Sequence, residues 1–316
     1  MFAITTRDLT RKFGKIYAVD HLDMRIPIGS LFGLIGPNGA GKTTTIRMLA
    51  GLLEPTSGEI RINELSAQQY RQEIQWQVGY MPDFFGVYDE LLVWEYLDFF
   101  GRCFRLDGHK RKQIIDELLE LVDLTEKRDA YVHTLSRGMR QRLCLAHALI
   151  HDPQVLLLDE PASGLDPRAR VEMRELLREL RSMGKTILLS SHILPELAEL
   201  CDRVAIMERG RLVVHGSLEE ILRQVTQRRF WKIQVLNDPV RAADLIENFP
   251  RVLSFVEAQS NNRPAHFEVE LSGGDEGAAD LLERMIHERI RVSAFAESLS
   301  DLEEAFLKLT KGEESA

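Results

Sequence analysis

Gly36-Pro37-Asn38-Gly39-Ala40-Gly41-Lys42-Thr43 is the stretch of this sequence that decides the fold. It fits the phosphate-binding P-loop pattern, in which Gly and four free residues precede Gly-Lys-Ser/Thr. Glycines let the backbone turn sharply, so successive N–H groups can converge on a polyphosphate. In such a loop Lys42 faces the β- and γ-phosphates and Thr43 holds Mg²⁺. The pattern predicts a site for a nucleoside triphosphate.

The residues on either side of this loop agree with that prediction. Residues 30–35 have the apolar composition of a buried strand, and residues 44–50 have the composition of a helix. A helix that begins beside the phosphates adds the favourable field of its N-terminal dipole. A chance glycine-rich turn is the alternative, but the order strand, loop, helix favours the P-loop.

Length and composition limit the classes of protein that remain. With 316 residues, the chain has room for about two domains of ~150 residues each. The net charge of −9 argues against a general surface for nucleic acid or anionic lipid, so we expect no nucleic-acid partner. The three cysteines match no zinc pattern and no disulfide framework, which favours reduced thiols in the cytosol. We expect neither a signal peptide nor a membrane-spanning helix.

The first part of the chain, residues 1–224, has the pattern of an α/β domain. Residues 1–29 alternate like a short antiparallel sheet with a turn at Gly14, and residues 86–152 are mostly helical in pattern. The strand at 155–158 is followed by a helix at 167–182 and a second strand at 186–189. Strand, helix, strand is the parallel α/β unit, which places its ligands at the carboxyl ends of the strands.

Residues 225–316 change in character and alternate strands with helices. Alternating apolar residues predict strands at 230–235 and 266–271, with further strands near 252–257 and 291–296. Helical patterns occupy about 239–248, 276–288 and 299–310. The resulting order, β-α-β-β-α-β and then a helix, predicts a small α+β module of the ferredoxin-like type. Because this segment has apolar faces of its own, we expect residues 1–224 to fold and bind nucleotide without it.

A second anion-binding element precedes the 155–158 strand. The run Leu135-Ser136-Arg137-Gly138-Met139-Arg140-Gln141-Arg142-Leu143 begins with Ser136, which is a good N-cap. A helix that starts with small residues offers free N–H groups to an anion. These groups lie on the wrong side of the molecule for its own P-loop. They make sense if they close over the nucleotide of a second subunit.

With these motifs in this order, residues 1–225 resemble the ATP-binding cassette family, the ATPase subunits of ABC transporters. In that family residues 36–44 form the Walker A loop, residues 135–141 stand for the signature LSGGQ, residues 155–160 form Walker B, residues 163–166 form the D-loop, and His192 is the switch histidine. The resemblance implies that the nucleotide contacts are Phe13, Gly36, Asn38, Gly39, Ala40, Gly41, Lys42, Thr43, Thr44, Ser136, Gly138 and Asp166.

The family also implies a role for each catalytic and metal-binding group. Glu160 polarises the attacking water, and His192 senses or holds the γ-phosphate. Mg²⁺ is held by Thr43 and Asp159, and Asp83 faces it. Phe13 matches the aromatic residue that stacks on adenine, with Tyr17 as the alternative and strand packing open for both.

The sequence departs from the family at the signature and at the Q-loop. Arg137 and Met139 replace Gly and Gln, which leaves the ribose-side contact in doubt, while Ser136 and Gly138 are kept. Arg137 either adds charge towards ATP or is a solvated surface residue. Asp83 replaces the Gln that normally follows the Pro of the Q-loop, and its carboxylate suits a hard cation such as Mg²⁺.

The resemblance implies an α/β P-loop NTPase core of the RecA-like type, with an antiparallel β subdomain and a helical signature subdomain. The subunit is expected to hydrolyse ATP with Mg²⁺, to dimerise with itself or a related ATPase subunit, and to power a separate integral membrane permease. Residues 297–310 look like the end of ATPases of ABC-2 exporters. The expected location is therefore the cytoplasm, on the inner face of the cell membrane through the permease. The permease would dock at Phe84, Phe85 and Tyr88, with burial inside the subunit as the alternative for Phe84 and Phe85.

Two other functions are compatible with a cassette of this kind. One is a soluble ABC ATPase that acts on nucleic acid or ribosomes, although such proteins tend to carry paired cassettes, a coiled-coil insertion or zinc modules. The other is a nucleotide-binding regulator without catalysis, which the presence of Glu160 and His192 argues against.

Overall fold

The computed structural model describes residues 1–83, 86, 88, 90–193, 197, 200–217, 220–221, 229–258 and 265–297. The chain divides into two units, Met1–Leu218 and Glu219–Ala316. The predicted boundary at residue 224 and the predicted helix at 299–310 lie outside the described residues, and both stay predictions. Among the described helices, none is long and apolar enough to cross a membrane.

The first unit opens with a long antiparallel hairpin. Gly14 has a φ of 59°, a left-handed value that glycine adopts without steric cost, and it turns the chain at the predicted place. The sheet is completed by two later strands and has the order β2-β1-β4-β5. Its strands are β1 (Phe2–Phe13), β2 (Ile16–Pro27), β4 (Ser57–Ile62) and β5 (Leu65–Ser66).

A six-stranded sheet of order β10-β9-β3-β8-β7-β6 forms the centre of this unit. Its strands are β3 (Leu31–Ile35), β6 (Val78–Met81), β7 (Val155–Leu158), β8 (Thr186–Ser191), β9 (Arg203–Glu208) and β10 (Arg211–Gly216). Strand β10 is antiparallel to β9, and the other pairs are parallel. Strands β3, β7 and β8 are buried along their whole length, as their unbroken apolar runs predict.

The parallel register brings the ends of three strands together. Ile35 pairs with Ser191, and Leu158 pairs with Leu189. The chain therefore leaves β3, β7 and β8 at the same edge of the sheet, where α/β folds place their ligands. Helix α1 (Lys42–Leu49) follows β3, and α6 (Pro167–Ser182) connects β7 to β8.

The helical region predicted at 86–152 contains α3 (Val93–Cys103), α4 (Gly108–Leu121) and α5 (Arg137–Leu149). Asp107 caps α4, because its carboxylate accepts the backbone N–H groups of His109 and Lys110. The short helix α2 (Arg71–Gln77) precedes β6 and was not foreseen from the sequence.

The second unit has the predicted β-α-β-β-α-β order. It contains β11 (Arg229–Val235), α7 (Pro239–Glu247), β12 (Val252–Ala258), β13 (Ala265–Leu271), α8 (Gly274–His287) and β14 (Val292–Glu297). The strand order β12-β13-β11-β14, antiparallel throughout, is the split-βαβ arrangement of the ferredoxin-like fold. Phe267, Leu281 and Met285 belong to its own apolar core. The fold class predicted from the sequence is confirmed for both units.

We predict that the two cores can be destabilised separately. Leu281→Ala should cost the second unit about 2–5 kcal/mol, because Leu281 is fully buried in that unit's core. Differential scanning calorimetry with and without ATP should identify the unfolding transition of the first unit as the one whose midpoint temperature ATP raises. That midpoint temperature should be unchanged in Leu281→Ala. Leu188→Ala, in the core of the first unit, is the matched control and should lower the ATP-raised transition. Loss of the ATP effect in Leu281→Ala would contradict separate cores.

Candidate active site

The P-loop joins β3 to α1 with two left-handed glycines. Gly39 and Gly41 have φ values of 82° and 105°, which L side chains rarely adopt. Gly36 has no room for a side chain, because a Cβ there would overlap the carbonyl of Met207 and the Cβ of Ala40. Asn38 and Gly39 are exposed at the tip, while Thr43 and Thr44 are half-buried in the first turn of α1. The loop is therefore built for close approach of a ligand to its backbone.

Lys42 points back into this loop and is 6% exposed. Its Nζ donates to the carbonyls of Gly36 at 2.7 Å and Pro37 at 3.3 Å. It also lies 3.4 Å from Oε1 of Glu160, which follows β7. The ammonium group thus connects the P-loop with the end of β7.

Asp159 is buried at the end of β7, where a hydroxyl group holds its carboxylate. Ser190, fully buried on β8, donates from Oγ to Asp159 Oδ1 at 2.7 Å. The same Oγ accepts the backbone N–H of Glu160 at 2.9 Å. One serine therefore fixes both consecutive acidic residues, and the pairing of Leu158 with Leu189 puts it opposite them.

Glu160 has a left-handed backbone with a φ of 51°, as do ten other non-glycine residues of the described chain. This conformation is uncommon for a residue with a Cβ, so its neighbours have to hold it. Its carbonyl accepts the N–H of Ser163 at 3.0 Å and the side-chain amide of Gln141 at 3.4 Å. The left-handed turn is thus held from both sides.

The same turn aims the side chain of Glu160 at His192. Glu160 Oε2 lies 2.9 Å from Nδ1 of His192, which follows β8. The Gly36 N–H donates to the carbonyl of Ser191 at 3.3 Å, which keeps His192 beside the P-loop. The structure therefore brings Lys42, Glu160 and His192 into one cluster, although they are far apart in the sequence.

Asp83 joins this cluster through its charge. Partial burial, followed by repulsion from Asp159 and Glu160, raises the pKa of the Asp83 carboxyl above its usual value. The opposite charges of Arg137 and His192 counter part of this effect. Carboxylate and hydroxyl oxygens are the donors that a hard cation prefers, so the side chains of Asp83, Asp159 and Thr43 have the chemistry that Mg²⁺ takes. In the part of the chain that the structure describes, no three His, Cys, Asp or Glu side chains are grouped as a metal site.

The signature residues lie at the start of α5. Ser136 is the N-cap, and its Oγ accepts the N–H of Met139 at 3.3 Å. Gly138 packs closely on α6, because a Cβ there would lie 3.3 Å from the Cβ of Ala169. Arg137 is exposed, as a surface residue would be, and its Nη2 donates to the carbonyl of Ser163 at 2.9 Å.

Asp166 caps α6 within its own chain. Its Oδ1 accepts the backbone N–H of Ala169 at 2.9 Å, and Pro167 occupies the first helical position. The residue is exposed. A structural role as a helix cap therefore exists beside the predicted contact across a dimer.

The two candidates for adenine stacking have equivalent surroundings. Phe13 is 47% exposed and Tyr17 is 46% exposed, so neither side chain is buried in the sheet. Arg11 lies over the Phe13 ring at 4.5 Å, and Lys12 lies over the Tyr17 ring at 4.6 Å. Both aromatic rings thus present a face at the hairpin tip, and the choice between them stays open.

The predicted docking segment is described in part. Phe84 and Phe85 lie outside the described residues. Tyr88 is 54% exposed and contacts the rings of Phe99, Phe100 and Tyr96, at centroid distances of 5.5, 6.5 and 6.5 Å. It therefore belongs to an aromatic surface on α3.

Two histidines, His147 on α5 and His151 just after its end, pack against aromatic rings. His147 stacks on Phe100 and His151 stacks on Phe104, with centroid distances of 3.7 and 3.9 Å. Burial lowers the pKa of His147 to about 4, so this ring is neutral at pH 7. These rings join α5 to α3.

Comparisons with known proteins agree with the geometry. Residues 19–163 match the family described as ABC transporter. The Nod factor export ATP-binding protein I of Cupriavidus metallidurans is 41% identical over 216 residues, which are 68% of this chain and 71% of that protein. The protein of the same name from Rhizobium meliloti is 43% identical over 214 residues, 68% of this chain and 64% of that protein. This chain belongs to the ABC transporter ATPase family.

Solved structures give the same result for this ABC ATPase. The ATP-binding subunit of an ABC transporter aligns with a TM-score of 0.64 at 31% identity, over 70% of this chain and 92% of that one. CbiO1 from Clostridium perfringens, part of an ABC transporter complex, aligns with a TM-score of 0.63 at 26% identity, over 72% and 95%. The chain is an ATP-hydrolysing, nucleotide-binding subunit, as the sequence predicts.

Ser190 and Gln141 of this ABC ATPase were not singled out from the sequence. Ser190 stands two residues before His192 in a strand next to β7, so its contact with Asp159 depends on which strands are neighbours. Gln141 lies inside the signature run, and its burial at 3% exposure shows that it faces the protein. Neither contact follows from a local pattern.

We predict that Ser190→Ala raises the Mg²⁺ requirement of the ATPase, if Asp159 is a metal ligand as the family resemblance implies. It removes the hydroxyl that holds Asp159 and the Glu160 backbone, and losing such a partner of a metal ligand typically costs about 10–100-fold in affinity or activity. ATPase assays over a Mg²⁺ titration should show a higher Mg²⁺ requirement, with metal-free ATP binding retained. Ser30→Ala is the control, because the Ser30 hydroxyl donates to Pro27 at the other end of β3. An unchanged Mg²⁺ requirement in Ser190→Ala would contradict the role of Ser190.

Proposed function

We propose that this ABC ATPase hydrolyses Mg²⁺-bound ATP at the edge where β3, β7 and β8 end. The observation that carries the proposal is the contact of Glu160 with both Lys42 and His192. It places an acidic group between the phosphate-binding lysine and the residue matched to the switch histidine. A carboxylate in this position suits the activation of water beside a γ-phosphate.

Each residue of the cluster has a step of its own. Lys42 leaves Glu160 and the loop carbonyls and pairs with the β- and γ-phosphates. Glu160, freed from Lys42, accepts a proton from the attacking water while His192 holds the γ-phosphate. The proposed nucleotide contacts are Phe13, Gly36, Asn38, Gly39, Ala40, Gly41, Lys42, Thr43, Thr44, Ser136, Gly138 and Asp166.

Thr43, Asp159 and Asp83 would hold Mg²⁺. The cation neutralises charge on the β- and γ-phosphates when it is bound. In this chain Ser190 orients the Asp159 carboxylate for that task, and Asp83 supplies a carboxylate where the family has an amide.

We further propose that two subunits close over ATP. Ser136 caps α5 and Gly138 lies in its first turn, where the N–H groups of a helix suit a phosphate. A second copy, or a related ATPase subunit, would supply the nucleotide that they meet. The exposed Asp166 would cross the same interface. Residues 1–224 would form this catalytic unit, and residues 225–316 would form an accessory domain.

The partner that uses the energy is proposed to be a separate membrane permease of the ABC-2 export type. The relatives from Cupriavidus and Rhizobium are named as ATP-binding proteins of Nod factor export. Their names support the proposal that this chain also powers export. The subunit would act in the cytoplasm at the inner face of the membrane. These relatives give no support to the alternative of an ATPase associated with nucleic acid or ribosomes.

The variant Glu160→Gln tests the proposed catalysis. It keeps the volume of the side chain and removes the base, so turnover should fall by about 10²–10⁴-fold while ATP binding is retained. Gel filtration with ATP should show a longer-lived dimer, since the nucleotide is no longer consumed. Glu59→Gln, an exposed change on β4, is the matched control and should keep the wild-type rate. Wild-type turnover in Glu160→Gln would contradict the proposed base.

The variant Tyr88→Ala tests the docking surface. Aromatic side chains are common anchors of interfaces, so we expect its loss to weaken binding to the permease by about tenfold or more. Basal ATPase activity of the isolated subunit should persist. Co-purification of the detergent-solubilised permease with the tagged subunit measures the effect. Tyr70→Ala removes an exposed tyrosine before α2 and is the control. Full recovery of the permease with Tyr88→Ala would exclude this site.

A further inference from the structure

Arg137 lies against the D-loop of its own chain. Its Nη2 donates to the carbonyl of Ser163 at 2.9 Å. Its guanidinium group covers Gly164, where a Cβ would overlap Cζ and both terminal nitrogens of Arg137. Gly164 has a φ of 65°, so the position favours glycine for its backbone as well. The guanidinium group of Arg137 therefore packs on the backbone of Gly164, which has no side chain to displace it.

A second contact lies one helical turn further along α5. Residues 137 and 141 face the same side of the helix, because positions four apart are neighbours on a helix surface. Gln141 donates from Nε2 to the Glu160 carbonyl at 3.4 Å, and Arg137 donates to the Ser163 carbonyl. The Ser163 N–H in turn donates to the Glu160 carbonyl. Helix α5 therefore holds both ends of the turn that follows the proposed catalytic base.

Arg137 stands where the family signature has glycine, so glycine-type signatures cannot make this contact. A guanidinium group has a fixed planar set of donors, which suits a backbone carbonyl and a flat glycine surface together. Helix α5 begins at Arg137, so the contact of Arg137 with Ser163 holds the first turn of the helix, which Ser136 caps.

We propose that Arg137 is a positioning residue that fastens the signature to the D-loop, so that both meet the nucleotide of a second copy as one rigid surface. The inference rests on the proposed ATP-dependent dimer. Within a single chain, the contacts of Arg137 are with Ser163 and Gly164 of the D-loop. Its loss should therefore act on closure and turnover, not on nucleotide binding by the separate subunit.

The first variant to measure is Arg137→Ala, which keeps a good helix former at the start of α5. We expect kcat to fall by about three- to tenfold, the size of a coupling between neighbouring residues. The KM for ATP and the affinity of the isolated subunit for a fluorescent ATP analogue should not change. In the Glu160→Gln background, the lifetime of the ATP-bound dimer should shorten by a similar factor. Loss of a residue needed merely for folding would lower the amount of active protein and its nucleotide binding together. It would not lower kcat and the dimer lifetime while leaving KM and nucleotide affinity unchanged.

Variants at Gly164 test the same contact from the other side. Gly164→Ala places a methyl group where the guanidinium lies, so it should lower kcat as Arg137→Ala does. In the double variant the two effects should not add, because both remove one contact. Arg137→Lys restores a donor without the planar group and should recover part of the activity. Arg178→Ala is the matched control, since Arg178 pairs with Glu175 on the surface of α6.

Two results would overturn the inference in different ways. If the wild-type chain forms no ATP-dependent dimer, the proposed function and this inference both fail. If the wild type dimerises and Arg137→Ala leaves its kcat and the dimer lifetime unchanged, this inference alone fails. Fully additive effects of Arg137→Ala and Gly164→Ala would also overturn it. Should Arg137→Ala fail to fold, Gly164→Ala and Arg137→Lys still measure the contact.

Discussion

The left-handed backbone at Glu160 is the constraint on which the site depends. A non-glycine residue in this conformation costs about 1–2 kcal/mol, so neighbouring contacts have to hold it there. The hydroxyl of Ser190, on β8, accepts the Glu160 N–H. The Ser163 N–H and the Gln141 side chain donate to the Glu160 carbonyl. The turn directs the carboxylate towards Lys42 and His192. Without it, the chain after β7 would continue along the strand direction and the acidic group would miss both.

Much of the fold could be predicted because its signals are local. The P-loop is a run of neighbouring residues, the buried strands are unbroken apolar stretches, and the hairpin turn carries Gly14. The β-α-β-β-α-β order of residues 229–297 follows from periodicity alone, and its strand order then follows from the few ways of pairing such a set. The strands β4, β5, β6, β9 and β10 and the helix α2 were not foreseen. Short elements have too few residues to show a period, and β7 was recognised only because its four residues are all apolar.

The contacts inside the site could be predicted in part. The sequence places Lys42, Asp159, Glu160 and His192 after strands, and parallel strands end at one edge, so their meeting was expected. The partners that orient them were not. Ser190 reaches Asp159 because β8 lies next to β7, and Arg137 reaches Ser163 because α5 packs beside the D-loop. Such pairs depend on tertiary neighbours, and a single sequence carries no sign of them.

The charged groups around Glu160 suit a site that binds and releases nucleotide in turn. Desolvation, together with the charges of Asp159 and Glu160, raises the pKa of Asp83 above its usual value. Lys42 and the His192 ring lie against Glu160, while Asp159 has the neutral hydroxyl of Ser190. Lys42 is shared between Glu160 and the loop carbonyls. In the proposed mechanism an entering phosphate competes for this ammonium group, so nucleotide binding itself releases Glu160.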